Sequence, residues 1–215
     1  MHRLLTITTP ASDLQLLTIA QLREAAGVTG TSDDAKLTSL GLRIAADITT
    51  ECNIAVGAGG PPTLRRETLT ETFRSVSIGE LPLSRRHAVD ITSIVGDGAT
   101  LDAGDYVVDP ESGLVTRLCD DNPVRWCARK LVVVYEAGFD TIPGDLQHAA
   151  LDFVRLSWLE KNRDPLVKSE RVRTDDIEEI ERQYWIGSVP GQSNEGAVPD
   201  VVAGQLARFR NSAFG

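Results

Sequence analysis

The sequence predicts an α+β protein. It should consist of a small antiparallel helical bundle, an antiparallel β-rich module inserted into that bundle, and an extended C-terminal arm. Three observations carry this expectation. Apolar residues recur at helical spacing near residues 18–26, 33–53 and 143–162. Residues 66–138 instead break into short strand-like runs separated by turn signals. Beyond residue 165 the pattern weakens, and an apolar-faced helix returns only near the end. The expected division is a core over 1–165 and an arm with a short terminal helix over 166–215.

The first helix follows from Thr18 and Gln21, which fit a capping box, and from Gly27, a natural residue just past a helix end. The second starts at Ser32-Asp33-Asp34, where acidic side chains suit the positive end of the helix dipole. Leu37, Leu40, Ile44, Ile48 and Cys52 make its apolar stripe. The run from Gly57 to Pro62 then reads as a flexible connection.

Strands are expected at Leu69–Ser77, Val89–Val95, Asp105–Asp109, Leu114–Leu118 and Leu131–Glu136. Asp97-Gly98 is a hairpin turn signal, because both central residues of a type I′ turn need positive φ. Leu131–Glu136 is the most apolar strand and should be central with both faces covered, while Trp126 should pack at a sheet edge. Pro143 opens the third helix, where a missing N–H is tolerated. Its buried stripe should be Leu146, Ala149, Ala150, Phe153, Ser157 and Trp158. Asp175–Arg182 could be helical, Ser188–Pro199 reads as loop, and Pro199–Arg210 reads as a final helix.

The chain has 215 residues, 41% of them apolar and 25% charged, in the range of an ordinary globular protein. Its formal net charge is −9. An acidic balance argues against gripping DNA phosphates, where affinity comes from Lys and Arg displacing counterions. The three cysteines, Cys52, Cys119 and Cys127, form an odd set without a CxxC pair, which predicts reduced thiols. No apolar run reaches the length of a transmembrane helix, and the N-terminus, MHRLLTITTPASD, lacks the apolar segment of a signal peptide.

Little in the sequence points to catalysis. His2, His87 and His148 neighbour no nucleophile motif, and no G-x-S-x-G elbow occurs. The Gly-rich stretches at 27–34 and 57–60 lack the Lys and hydroxyl residue of a phosphate loop. The expectation is a protein without enzymatic activity, cofactor or metal. Contact candidates are Arg65, Arg66, Arg85 and Arg86, the densest basic spots, as subunit or tail contacts. Tyr184 and Trp185 are adjacent large aromatics, a type enriched at interfaces. Val202, Leu206 and Phe209, with Arg208 and Arg210 beside them, give the terminal helix an apolar face. A short helix of this kind is marginal alone and should dock on something.

The small motifs come in a specific order. They are LTIAQLREAAGV (17–28), DDAKLTSLGLRIAADITTECN (33–53), TETF (70–73), LPLSR (81–85), V-x-I-x-S-I (89–94), DG (97–98), DYVVD (105–109) and SGLV-x-RL (112–118). Trp126, then VVVYEAGF with IP-x-DL (132–146), YW (184–185) and PDVVAGQLARFR (199–210) complete the series. In this order and spacing the chain resembles the head–tail connector (adaptor) proteins of long-tailed bacteriophages and the related adaptors of gene transfer agents. It departs from them at the acidic segment 175–181, where a more Gly-rich stretch is expected.

The resemblance implies a structural virion protein. Such proteins form a homo-oligomeric ring, twelve-fold in the virion, below the portal at the capsid–tail junction. They extend the channel through which double-stranded DNA passes without sequence-specific binding, and they seat a stopper or tail-completion protein. Assembly would take place in the host cytoplasm, with no membrane involved. The arm, with Tyr184, Trp185, Val202, Leu206, Phe209 and Arg210, would be the portal-binding part. The alternative from the residues alone is a cellular β-rich protein-binding module with a flexible C-terminal tail.

Overall fold

The strands form around one long antiparallel pairing, seen in a computed structural model that describes residues 1–160, 169–174, 177–183 and 197–211. Strand β2 (Glu67–Ile78) pairs along its whole length with β9 (Trp126–Ala137). Strand β1 (His2–Thr9) lies on the outer side of β2, and β4 (Asp90–Gly96) with β5 (Ala99–Thr100) lies beyond β9. The five-stranded order is therefore β1-β2-β9-β4-β5. A four-stranded sheet holds β3 (Glu80–Pro82), β7 (Leu114–Cys119) and β6 (Tyr106–Val108), with β8 (Asn122–Val124) also on β7. One apolar core serves both sheets, with Phe73, Leu81, Ile94, Val115, Trp126 and Tyr135 all buried in it.

Helices α1 (Ile19–Ala26), α2 (Asp34–Glu51) and α3 (Gly144–Glu160) pack on one another around a second core. The expected stripes supply it: Leu37, Ile44, Ile48 and Cys52 from α2, and Leu146, Ala149, Ala150 and Phe153 from α3. Thr18 and Gln21 cap α1 reciprocally, and Gly27 closes it at φ 68°. None of the described helices is long and apolar enough to cross a membrane.

The hairpin turn has the expected geometry, with φ of 49° at Asp97 and 92° at Gly98. The Asp97 carboxylate also accepts the Lys130 and Arg129 backbone N–H groups at 2.8 and 3.2 Å. Those bonds, Lys130 first, hold its carboxyl below the usual range.

Several expectations need correcting. The N-terminus is an edge strand: in β1, Leu5 and Ile7 are buried while Leu4 is exposed, a period-2 pattern. The Gly57–Pro62 run is not a free connection, because Ala58 exchanges backbone hydrogen bonds with Leu5 and Ile7. Strand β9 is central but covered on one face only: Leu131, Val133 and Tyr135 are buried, and Val132 and Val134 are half-buried. Antiparallel pairing leaves the other face to solvent. Trp126 is 1% exposed, deep between the sheets rather than at an edge. Ile177–Gln183, expected as helix, is strand β11, paired with β10 (Ser169–Thr174).

The largest correction concerns the C-terminus. Helix α4 (Asp200–Gln205) and the 3-10 turn Ala207–Phe209 fold back on the chain's own helical core. Val202, Leu206 and Phe209 are each fully buried there. An apolar stripe finds the nearest apolar surface, and the tether lets this surface be its own domain. Residues 197–211 of the expected arm are thus packed on the domain, not extended from it. Tyr184, Trp185 and the expected end of the third helix near residue 162 lie outside the described residues.

Candidate functional site

Two buried carboxylates lie along the inner face of β2. Glu67 and Glu71 occupy positions where the strand alternation calls for apolar residues, and they are 3% and 0% exposed. Glu71 accepts hydrogen bonds from the Ser84 backbone N–H (2.9 Å), the Ser84 hydroxyl and the Tyr135 hydroxyl (3.0 Å). Arg3 reaches the same carboxylate at 3.5 Å. Burial pushes the Glu71 carboxyl up, and the Ser84, Tyr135 and Arg3 contacts oppose this. Burial and then the Glu71 charge raise the Tyr135 hydroxyl well above its ordinary value.

Glu67 faces Arg85 at 3.4 Å, and the Arg85 Nη1 donates to the Thr63 carbonyl at 2.8 Å. Burial raises Glu67 and lowers Arg85, and each partner's charge opposes the shift on the other. The arrangement is a staple between β2 and the loop after β3. Ser84, Glu71 and Tyr135 are closed to water in this conformation, at 2%, 0% and 0% exposure. Their chemistry here is hydrogen bonding that fixes the loop.

That loop continues into the seat of the C-terminal segment. His87, at φ 70° and 2% exposed, stacks on Phe139 at 5.4 Å and meets the edge of Phe209 at 5.8 Å. Its Nε2 lies 3.3 Å from the Phe209 carbonyl and its Nδ1 3.3 Å from a Glu111 carboxylate oxygen. Arg86 donates to the Arg210 carbonyl at 2.9 Å. Asn211 donates its side-chain N–H to the Ser84 carbonyl at 2.9 Å and its backbone N–H to the Cys52 carbonyl at 2.8 Å. Arg210 pairs with Glu51, and Arg208 with Asp145 at 2.7 Å. The segment is therefore held by both the helical core and the β-rich part.

The four arginines named from sequence end in different places. Arg85 is 4% exposed and turned into the domain, so its guanidinium is not available for a subunit or tail contact. Arg65 donates to the Gln15 and Asp140 carbonyls at 2.8 and 3.2 Å. Arg66 bonds Glu136 at 2.8 Å and faces Asp140 at 3.5 Å and Asp90 at 4.0 Å. Arg86 serves the C-terminal segment. All four side chains work within the chain. Basic doublets suggest open surface by composition, but the carboxylates and backbone carbonyls that engage them are brought in by tertiary pairing.

The missed residues are Glu67, Glu71, Ser84, Tyr135 and Asn211. Two Glu among the inward positions of β2, at 67 and 71 beside Leu69 and Phe73, are a visible anomaly in the strand alternation that points to this cluster.

A groove of about 550 Å³ opens between α2 and α3, lined by Ala35, Lys36, Ser39, Leu40, Arg43, Ser157 and Trp158. Leu159, in the last turn of α3, is 73% exposed. Trp158 is thus a groove wall that also touches the core, and not a fully buried residue. Among the described residues no three His, Cys, Asp or Glu side chains come together as a metal site, and Cys119 and Cys127 are both exposed. No protein-family model matches the chain, and no curated protein matches it.

Proposed function

We propose that this chain is a structural, non-enzymatic subunit of the head–tail connector of a tailed bacteriophage or a related particle. Copies of it form a ring below the portal, extend the DNA channel and seat the next protein towards the tail. The observation that carries the reading is the ordered motif series. Its members fall on successive elements at positions the fold depends on: the α1 cap at Thr18, the hairpin turn at Asp97-Gly98, Trp126 between the sheets and Phe209 in the helical core. A series of that kind is the signature of a shared fold rather than of a shared reaction.

Two further properties support it. The net charge of −9 suits a wall past which DNA slides, since like charge keeps phosphates from sticking. A closed ring needs two different complementary faces on each subunit, and the α2–α3 groove with the exposed Leu159 offers one apolar face. Portal contact by Val202, Leu206 and Phe209 would require the C-terminal segment to leave its seat first.

Quantitative mass spectrometry of DNA-filled particles from the strain that encodes the chain tests the reading. About a dozen copies per particle are expected for a ring of this type. Absence of the chain from such particles overturns the proposal and leaves the cellular binding module.

A further inference from the structure

The solvent-facing side of the five-stranded sheet carries an ordered pattern. The strand register sets Leu4, Thr72, Val132 and Val95 side by side across β1, β2, β9 and β4. Thr6, Thr70, Val134 and Ser93 form the next row. Leu4 is 59% exposed, and Val95, Val132 and Val134 are half-buried. The Thr8 and Thr70 hydroxyls share a hydrogen bond at 2.9 Å, which lowers the cost of taking them out of water. Contiguous apolar patches of this kind mark interaction sites.

The two ends of the face carry opposite charge. At one end Lys130 stands directly opposite Arg74 in the register, and both are exposed. Like charges facing each other across a strand pair repel, and neither side chain has an ion partner among the described residues. At the other end Glu136, Asp140 and Asp90 gather around Arg66 at 2.8, 3.5 and 4.0 Å. Three carboxylates share one guanidinium, so this end stays net negative. A uniformly basic partner would be repelled at the first end and a uniformly acidic one at the second.

The pattern is also symmetric about Val133. Lys130 and Glu136 stand three residues to either side of it on β9, and Val132 and Val134 one residue to either side. A twofold axis lying in the contact plane, across the strands at the level of Val133, brings β9 of one copy antiparallel over β9 of another. Lys130 of each copy then lies over Glu136 of the other, and Val132 over Val134. Arg74 is carried towards the other copy's carboxylate end. The surface that fits this face is the same face.

We propose that two copies of this chain pack face to face through the outer side of this sheet, as a twofold dimer closed on itself. The inference stands without the connector reading, whose ring contacts would join two different faces. Strands about 4.8 Å apart and residue steps of about 3.3 Å make the patch about 20 Å in each direction. Two such patches bury on the order of 1,000 Å² in total, the low end for a specific interface, so the dimer is weak and reversible.

Sedimentation equilibrium of the full chain tests this. The exposed Cys119 and Cys127 are first replaced by Ser, so that no disulfide joins two copies. Between about 1 and about 500 µM, the range for an interface of this size, the mass should climb from that of one chain towards that of two. Val134→Lys sets a charge in the middle of the patch on both copies and should hold the mass at one chain throughout. Lys130→Glu reverses two exposed pairs per dimer and should raise the Kd about tenfold. Adding Glu136→Lys to it should restore the parent value. Lys130→Glu also gives Arg74 an opposite charge across the strand pair, so this variant keeps the fold even where Val134→Lys does not. A mass of one chain at every concentration overturns the proposal. So does self-association that Lys130→Glu leaves unchanged, since another face then joins the copies, or a double variant that associates no better than Lys130→Glu.

Discussion

The indole N–H of Trp126 donates to the Val115 carbonyl at 2.9 Å, joining a strand of the five-stranded sheet to a strand of the four-stranded one. Trp126 is 1% exposed and Val115 0%. The bond therefore satisfies a donor and an acceptor that have no route to water. Trp126→Phe keeps much of the packing and removes the donor, and should cost about 1–3 kcal/mol. Trp126→Ala also opens a cavity and should cost about 3–5 kcal/mol. Urea unfolding followed by circular dichroism distinguishes the two. A Trp126→Phe variant as stable as the parent would mean that the hydrogen bond contributes nothing.

Two glycines with similar backbones should respond differently to substitution. Gly98 (φ 92°) and Gly138 (φ 99°) both occupy the left-handed region. A Cβ on Gly98 would meet nothing within 4 Å, whereas one on Gly138 would lie 2.4 Å from the Arg65 carbonyl oxygen. Gly98→Ala carries only the conformational penalty, about 1–2 kcal/mol. Gly138→Ala must also push apart two backbone segments, so its melting temperature should fall much further. Thermal melts of the two variants check the order.

The buried glutamates give stability a definite pH dependence. Glu67 and Glu71 both have folded-state values raised by burial above their ordinary range. A raised value means that the folded protein binds the proton more readily than the unfolded chain does. Their contribution is therefore fully present below the ordinary Glu range and is lost as pH rises through the raised folded values. Glu71→Gln removes one of these titrations and keeps acceptors for Ser84 and Tyr135. Unfolding free energies measured from pH 4.5 upward should fall less steeply in this variant. A slope as steep as the parent's would refute the assignment.

Helical-core stability should depend on the C-terminal segment. Phe209 is fully buried against His87 and Phe139, so Phe209→Ala should cost about 3–5 kcal/mol. Truncation after residue 196 removes Val198, Val202, Leu206 and Phe209 from that core together. The truncated protein should bind a hydrophobic dye and melt with less cooperativity, as partly packed cores do. An unchanged melt would show that the segment adds no stability.

Local features of the fold could be read directly from residues. The Thr18–Gln21 cap, the α2 stripe from Leu37 to Cys52 and the Asp97-Gly98 turn each depend on a few neighbouring residues and on backbone geometry that those residues set. Strand β1 escaped notice because it is an edge strand with only Leu5 and Ile7 turned inward among threonines and a basic pair. Segment 177–183 sets two isoleucines three residues apart among charged residues, a helix-like spacing, and antiparallel pairing with 169–174 makes it a strand. Propensity yields to pairing in such a segment.

The sequence by itself determined the α+β class, the four described helices, most strands of the β-rich part and the apolar faces that become two cores. It determined them because helical and strand periodicities belong to the local backbone. Tertiary structure decided which charges go inside and where the last apolar face rests. Arg85 looked like half of a surface doublet until Glu67 met it in the interior. Val202, Leu206 and Phe209 looked like an arm until Asn211 bonded Ser84 across 127 residues of sequence. Burying a charge is favourable only beside its partner, and an apolar stripe is silent about which surface will cover it.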